Sequence, residues 1–421
     1  MLDIPRIQIV DLKGKIVLVR VDHNVVKKGI IKDPYRIDAS IETINYIIKQ
    51  GGKPILMTHV GRPRDKKTGE INVSENTSII PIVEYLKNHF NLNFKIAFDN
   101  IPDFSKPNYI KELKSGAIDG VYLPNTRWFA GEESKDEQTK KLGKELANLA
   151  DIFVNDAFGS WQPHASTVEP AEYLPSFAGI LMQKEIDNLT RVLSPQKPFL
   201  AVVAGSKFDT KIGPLTALLK SADHLLVGGV LYNAYLCAKY GFIIKGIDKE
   251  DILSAKKFVE LTEEYPGKLI EIPFIVESDN LDSSENKKIL NIEQMTKGEE
   301  YNYILDADPR SFESDKINNI FMETKTIFVN AVMGLTPYFA EGTSALDTII
   351  SKNRKSEKFF GGGDTLQEFK TLLPDLYNKA LNDDSYYFFT GGGTILKAIN
   401  EGKVTGLKPV QALINNKKRM V

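Results

Sequence analysis

Lys358-Phe359-Phe360-Gly361-Gly362-Gly363-Asp364-Thr365 and Tyr386-Tyr387-Phe388-Phe389-Thr390-Gly391-Gly392-Gly393-Thr394 share one pattern: an aromatic apolar run, a glycine triplet, then residues with helical spacing. Each predicts a buried strand, a bare turn and a helix N-terminus. Such a terminus offers unpaired N–H groups and a partial positive charge to an anion. Thr365 and Glu368 have capping-box spacing, which predicts a helix starting there. Glycine can also serve only to make a tight turn. The pattern occurring twice favours phosphate binding.

Working outward, short β-branched runs alternate with longer periodic ones. Residues 16–21 read as a strand, and residues 36–50, with Ile37, Ile41, Ile44 and Ile48 at helical spacing, read as a helix. Residues 54–58 predict the next strand, 79–90 the next helix, and 134–149 another with a Ser134/Glu137 capping box. Residues 151–155 close this half as a strand. The pattern restarts at residues 199–203 and recurs at Ile304, Ile327, Phe359 and Phe388. Alternation of this kind predicts an α/β fold, with mostly parallel sheets covered by helices on both faces. Residues 181–198 fit a connecting helix ending at Pro195 and Pro198, which places a domain boundary there. Residues 245–300 are polar and carry no usable motif, and 278–288 read as a surface excursion.

Composition narrows the classes. With 42% apolar and 26% charged residues, the 421-residue chain is globular and long enough for two or three domains. Its net charge of −1 gives no basic field for nucleic acid, so Lys417-Lys418-Arg419 reads as a solvated tail. Asp3, Pro5, Arg6 and Asp11 leave no apolar core for a secretory signal. The longest uncharged apolar segment, 225–238, is too short to span a membrane. Cys237 stands alone, which excludes an internal disulfide and fits a reducing, cytoplasmic setting. No His/Cys spacing suggests zinc.

The first half carries cationic residues at predicted strand ends and loops: Arg36, His59, Arg62, Arg127 and His164, with Asp22 and Asn24 on one side at the end of the first strand. The C-terminal ends of strands in an α/β sheet line one crevice, so these residues can converge. Guanidinium groups there suit a small, multiply anionic substrate. Taken singly, each is as compatible with a solvated charge or a locally hydrogen-bonded histidine, and His23, His89 and His224 fit that bland reading.

Five strings taken in order resemble phosphoglycerate kinases: Val19-Arg20-Val21-Asp22-His23-Asn24-Val25, Thr58-His59-Val60-Gly61-Arg62-Pro63, Asn155-Asp156-Ala157-Phe158-Gly159, His164-Ala165-Ser166-Thr167-Val168 and Gly361-Gly362-Gly363-Asp364-Thr365. The resemblance implies two Rossmann-like α/β/α domains facing a cleft and joined by a hinge helix. It makes 1–180 the triose-phosphate domain, 181–198 the connecting helix, 199–403 the nucleotide domain, and 404–421 a segment returning to the first domain. It implies reversible, Mg²⁺-dependent phosphoryl transfer between 1,3-bisphosphoglycerate with ADP and 3-phosphoglycerate with ATP, by a monomer. Asp22, Asn24, Arg36, His59, Arg62, Arg127 and His164 would bind the triose, with Arg36 stabilising the moving phosphoryl group. Gly205, Lys207, Lys211, Asn330, Gly361, Gly362, Gly363, Asp364 and Thr365 would bind the nucleotide, and Asp364 would be the Mg²⁺ ligand. Lys207, Gly363 and Gly393 would join Arg36 at the reaction. Lys207 and Lys211 are four apart, so on a helix both would face one side. Read without the family, that pair is a wet helix face and Asp364 an N-terminal helix carboxylate.

The chain also departs from the family. Ser160-Trp161-Gln162-Pro163 replaces an Ala-His-Arg-Ala type of segment, is one residue shorter, and lacks a triose-phosphate arginine. Val329-Asn330-Ala331-Val332 replaces Trp-Asn-Gly-Pro, and the stretch to Gly342-Thr343 is two residues short, removing a ribose carboxylate. Asp308 and Ala204 each replace a glycine. These departures motivate two alternatives: a nucleotide-binding or regulatory protein descended from the enzyme, and a kinase for another small carboxylate. No Gly-x-x-x-x-Gly-Lys-Ser/Thr and no complete Gly-x-Gly-x-x-Gly occurs, so neither a P-loop NTPase nor a standard dinucleotide enzyme is indicated.

Overall fold

The computed structural model describes residues 2–97 and 109–420. Its contacts form two compact units, Met1–Asp187 with Val404–Val421, and Asn188–Lys403; the chain passes from one to the other within the helix Ile180–Leu193. Each unit has a six-stranded, all-parallel sheet with helices around it, so the α/β expectation holds.

In the first unit the strands lie in the order Phe94–Ile96, Gly120–Tyr122, Lys53–Met57, Ile16–Arg20, Ile152–Asn155, Ser176–Ala178. Ile16–Arg20 is central and buried on both faces, which explains its unbroken apolar run. Val17 and Val19 pack with Ile37, Ile44 and Ile82 on one side. Leu18 packs with Ile55, Val121 and Phe153 on the other. The helix Tyr35–Lys49 supplies Ile37, Ile41 and Ile44 at the spacing that places them on one stripe. Successive strands fill one side of Ile16–Arg20 and then the other. The topology therefore reverses between Ile16–Arg20 and Ile152–Asn155, the place at whose carboxyl ends α/β sheets hold their ligands.

The second unit repeats the plan, with the order Leu269–Ile270, His224–Gly228, Phe199–Ala204, Thr326–Asn330, Glu357–Gly361, Tyr386–Phe389. Its reversal lies between Phe199–Ala204 and Thr326–Asn330. The aromatic runs before the glycine triplets form a cluster, with Phe360 5.2 Å from Phe369 and Phe388 5.2 Å from Tyr377 between ring centroids. This is why both runs are aromatic: they fill the space under two neighbouring strands and their helices.

Several local expectations are corrected. Residues 225–238 divide into the strand His224–Gly228 and the helix Gly229–Tyr240, turning at Gly229 with φ +63°. Every residue from Leu231 to Cys237 is buried, so no amphipathic stripe marked the helix. Ile304 lies in Tyr303–Ala307, which joins an antiparallel sheet with Phe274–Ser278 and Lys288–Asn291 instead of the parallel one. The 278–288 excursion is the connection of that hairpin. The Ser134/Glu137 capping box does not form. Asp136 caps Glu137–Ala147 by accepting from Gln138 N at 2.9 Å, and Ser134 Oγ donates to Asp136 at 2.6 Å. The second box fails because the helix Gly363–Leu372 begins two residues before Thr365.

The C-terminal helix Lys408–Met420 belongs to the first unit and is pinned by one amide. Asn416 Oδ1 accepts from Ser176 N at 2.9 Å, and its Nδ2 donates to Ala171 O at 2.7 Å and Leu174 O at 2.8 Å. Of the basic tail, Lys417 bonds Asp3, while the Lys418 and Arg419 side chains lie outside the described part. Asn416→Ala leaves the buried Ser176 N–H and the Ala171 carbonyl without this partner, while Leu174 O keeps Ser176 Oγ, so unfolding in urea is expected to lose roughly 2–4 kcal/mol at unchanged m-value.

Candidate functional site

At the reversal in the first sheet, the chain leaving Ile16–Arg20 delivers Asp22, His23 and Asn24, and the chain leaving Lys53–Met57 delivers His59, Gly61 and Arg62. Arg36 enters from the first turn of Tyr35–Lys49 and pairs with Asp22, Nη1 to Oδ2 at 3.2 Å. Asp22 Oδ1 is buried with no hydrogen-bond partner among the described residues, an acceptor open to a donor from elsewhere. Asn24 Oδ1 takes Gly61 N at 2.8 Å, tying the two loops together. Arg127, in the single turn Thr126–Trp128, donates from Nη1 to Gly61 O at 2.5 Å and places Nε 2.9 Å from Glu133 Oε1. His164 Nε2 stands 4.0 Å from that same carboxylate oxygen. Arg62 is exposed. The structure thus links Asp22 with Arg36, Asn24 with the His59–Arg62 loop, and Arg127 with both that loop and, through Glu133, His164. Glu133 and Asp22 also temper the cationic character that the sequence suggested.

The histidines under this surface are neutral. His23 is wholly buried, and burial lowers its pKa to about 3. Ser40 Oγ donates its hydrogen to Ile37 O at 2.8 Å, so His23 Nε2 donates to Ser40 Oγ at 2.8 Å and Nδ1 accepts from Tyr122 Oη at 2.9 Å. Burial is also the chief cause holding His59 well below the usual histidine range.

Sequence reasoning passed over Arg20, Asn125, Glu132 and Ser166. Asn125 holds the His59 loop by accepting from Val60 N at 3.0 Å and donating to Val60 O at 2.7 Å. Glu132 is fully buried and accepts from Thr126 Oγ1 at 2.9 Å, Ser166 Oγ at 2.6 Å and Ser166 N at 2.9 Å. Arg20 had a readable signal: a charge inside an apolar strand needs partners. Glu132 and Asn125 had none, because their loops lack periodicity.

In the second unit the reversal brings Ala204-Gly205 beside Asn330. Lys211 Nζ spans the gap, donating to Ala204 O at 2.5 Å and to Asn330 Oδ1 at 3.3 Å. Gly205 has φ +134°, a conformation that favours glycine, and a Cβ there would also lie 2.9 Å from Lys211 Nζ. Burial lowers the Lys211 pKa to about 8, against the opposing pull of Asp364. Lys207 does not share a helix face with Lys211. It precedes the helix Phe208–Ser221 with φ 66° and is exposed, because the helix begins one residue later than the pairing requires.

The two glycine triplets touch. A Cβ on Gly392 would come within 2.5 Å of Gly362 Cα and 3.2 Å of Asn330 Nδ2, and one on Gly362 within 2.7 Å of Asn330 Nδ2. Asn330 also donates to Gly361 O. Gly363, by contrast, faces open space with nothing within 4 Å of a built Cβ. Gly363–Leu372 and Gly392–Glu401 therefore start side by side, with Asp364 exposed in the first turn of one, Thr365 buried behind it, and Gly393 and the buried Thr394 in the first turn of the other. Paired helix N-termini, a bare glycine and a half-buried ammonium make a surface whose chemistry suits an anion.

The family model for phosphoglycerate kinase matches residues 7–403. The chain belongs to the phosphoglycerate kinase family. A curated phosphoglycerate kinase from Dictyoglomus turgidum is 33% identical over 409 residues, 95% of this chain and 96% of that relative. Solved phosphoglycerate kinases from Coxiella burnetii (29% identity, TM-score 0.77) and Pyrococcus horikoshii (26%, TM-score 0.79) each cover 98% of this chain and are 99% covered by it. Phosphoglycerate kinase activity, a phosphotransfer, follows from this membership, and nothing in these comparisons supports the regulatory or other-carboxylate alternatives.

The departures from the family have structural counterparts. Gln162 is exposed, and its carbonyl accepts from Thr167 Oγ1 at 2.7 Å, closing the short turn before His164. Asp308 is buried and pairs with Arg310 at 2.7 Å, so the carboxylate that replaces glycine is neutralised within the chain. The shortened loop after Ala331 is fastened by Met333 N to Thr343 Oγ1 at 2.9 Å and Gly342 N to Asp306 Oδ2 at 3.0 Å.

Because His23 is neutral when folded and titrates near 6.5 when unfolded, the unfolded chain takes up its proton first as pH falls. Its share of stability is intact above about pH 6.5 and declines toward pH 3 at up to ~1.4 kcal/mol per pH unit. His23→Gln lacks this term. Its urea stability relative to wild type is expected to improve by about 2 kcal/mol between pH 7 and 5.

Proposed function

We propose that the unit carrying Asp22, Asn24, Arg36, His59, Arg62, Arg127 and His164 binds 3-phosphoglycerate or 1,3-bisphosphoglycerate, and that the unit carrying the glycine triplets binds ADP or ATP with Mg²⁺. The observation that carries this reading is the chemistry at the two sheet reversals: guanidinium, imidazole and an unpaired buried acceptor at one, and paired helix N-termini with Lys211 at the other.

In this reading, Arg62, Arg127 and His164 take the substrate's anionic end, Asp22 and Asn24 its hydroxyl or carboxyl groups, and Arg36 stabilises charge on the transferring phosphoryl group. Asp22 orients Arg36 through their ion pair. Gly205, Gly361, Gly362 and Gly363 let the nucleotide approach backbone N–H groups. Lys207 and Lys211 meet its phosphates, while Asn330 and Thr365 set the shape of the loops. Gly393 opens the second helix terminus to the transferring group. No cluster of three metal-binding side chains occurs among the described residues. A single exposed carboxylate beside a phosphate cradle fits Mg²⁺, which takes one or two carboxylates and fills its shell with phosphate oxygens and water. Asp364 is the residue to hold it, and bound Mg²⁺ would neutralise phosphate charge. Gln162, in place of an arginine, lowers triose affinity by about ten- to hundredfold without removing a group that faces the reaction.

A cytoplasmic monomer goes with this reading. Cys237 is buried and its thiol pKa raised by burial, as suits an inert structural cysteine. Among the described residues no helix is long and apolar enough to cross a membrane.

Coupled assays with 1,3-bisphosphoglycerate and MgADP test the assignment. Arg36→Ala is expected to reduce kcat by about 10²–10³ while calorimetric ADP affinity stays unchanged. An equal loss of ADP affinity would refute the division of labour. Since Lys211 loses its proton above about pH 8, ADP affinity is expected to weaken from pH 7.5 to 9, and Lys211→Met to abolish that dependence.

A further inference from the structure

Arg20 reaches the triose site without being exposed to it. The guanidinium is 0% accessible. Its Nε donates to Ser166 Oγ at 2.8 Å, its Nη1 to Val21 O, and its Nη2 lies 3.4 Å from Ser160 Oγ and 2.8 Å from His59 Nδ1. Ser166 in turn donates to Glu132 Oε1, which supplies the opposing charge.

The contact with His59 settles the state of that ring. Arginine has donors and no acceptor. Nδ1 must therefore be the acceptor and carry a lone pair, and a neutral imidazole with a bare Nδ1 has its proton on Nε2. A cationic ring, with N–H on both nitrogens, would set a proton against the guanidinium. Arg127, His164 and Arg36 add to the field against a positive ring. No hydrogen bond from His59 Nε2 is formed among the described residues, and this nitrogen is not among the sealed, unpartnered atoms, so its N–H is free to meet a ligand.

We propose that Arg20 is a positioning residue that fixes His59 in the neutral Nε2–H form, so that the imidazole offers the acidic substrate a directed hydrogen-bond donor in place of a cation. The proposal rests on the assignment of this unit to the phosphoglycerate. Ser160, which shares Nη2, ties the same guanidinium to the segment where the family's arginine is missing.

Nitrogen-15 NMR of histidine-labelled protein tests it, with the His59 signals assigned by their loss in His59→Gln. Wild type is expected to hold Nε2 protonated and Nδ1 bare from about pH 6 to 8 without titrating. A protonated Nδ1, or a doubly protonated ring, overturns the proposal without need of a variant. In Arg20→Gln the two tautomers are expected to mix and KM for 3-phosphoglycerate to rise about tenfold with kcat changed much less. Arg20→Lys, still a pure donor, is expected to recover the Nε2–H form and part of the KM. Mixed tautomers with an unchanged KM would sink the functional half. If saturating 3-phosphoglycerate moves no His59 signal in wild type, the site assignment fails while the tautomer result stands.

Discussion

Arg20 carries a full positive charge into a strand whose other members are apolar and buried, and the first unit's site is arranged around matching it. Isolated burial of such an ion would cost several kcal/mol, so each nitrogen of the guanidinium needs an acceptor. Besides the adjacent Val21 carbonyl, the acceptors come from loops far apart in sequence: Ser166, Ser160 and the His59 ring. Each loop is thereby tethered to the central strand. A buried charge matched in this way, with Glu132 opposing it through Ser166, adds little net stability, but removing a partner is expensive, and that asymmetry makes it a specifier of loop position.

The second unit uses the same physics in a looser form. Lys211 is partly buried, held by one carbonyl and one amide oxygen, and forms no ion pair among the described residues. Its lowered pKa reports a charge without sufficient compensation. A polyphosphate would supply what the protein withholds. Site residues with unmet electrostatic demand are places where a ligand gains most.

The parallel strands and most helices were legible in the sequence because a strand buried on both faces is a continuous apolar run and an amphipathic helix has a stripe. His224–Gly228 and Gly229–Tyr240 were not separable, since burial all round erases periodicity. Caps were misread for a different reason. Spacing nominates a cap, but competing donors choose it: Asp136, a stronger acceptor than Ser134, took the role and the serine as its partner. Of the site, Asp22, Arg36, His59 and the glycine loops were readable from strings and strand ends. The Lys207/Lys211 pairing failed because Lys207, at positive φ, lies just outside the helix that begins at Phe208. Glu132, Glu133 and Asn125 stayed hidden because what makes them matter is convergence in space.

The contact between Gly362 and Gly392 bears on how such a chain can drift. A side chain on Gly392 would strike the backbone of Gly362, one on Gly362 would strike Asn330, and Asn330 sits against both. The two loops are one object with a joint tolerance, so neither can accept substitutions independently. Gly363 is free of that constraint and faces only the space a ligand would enter. Inheritance through this region is therefore of two kinds: one glycine pair retained by the fold itself, whatever the chain does, and one glycine retained only while a ligand continues to need the room.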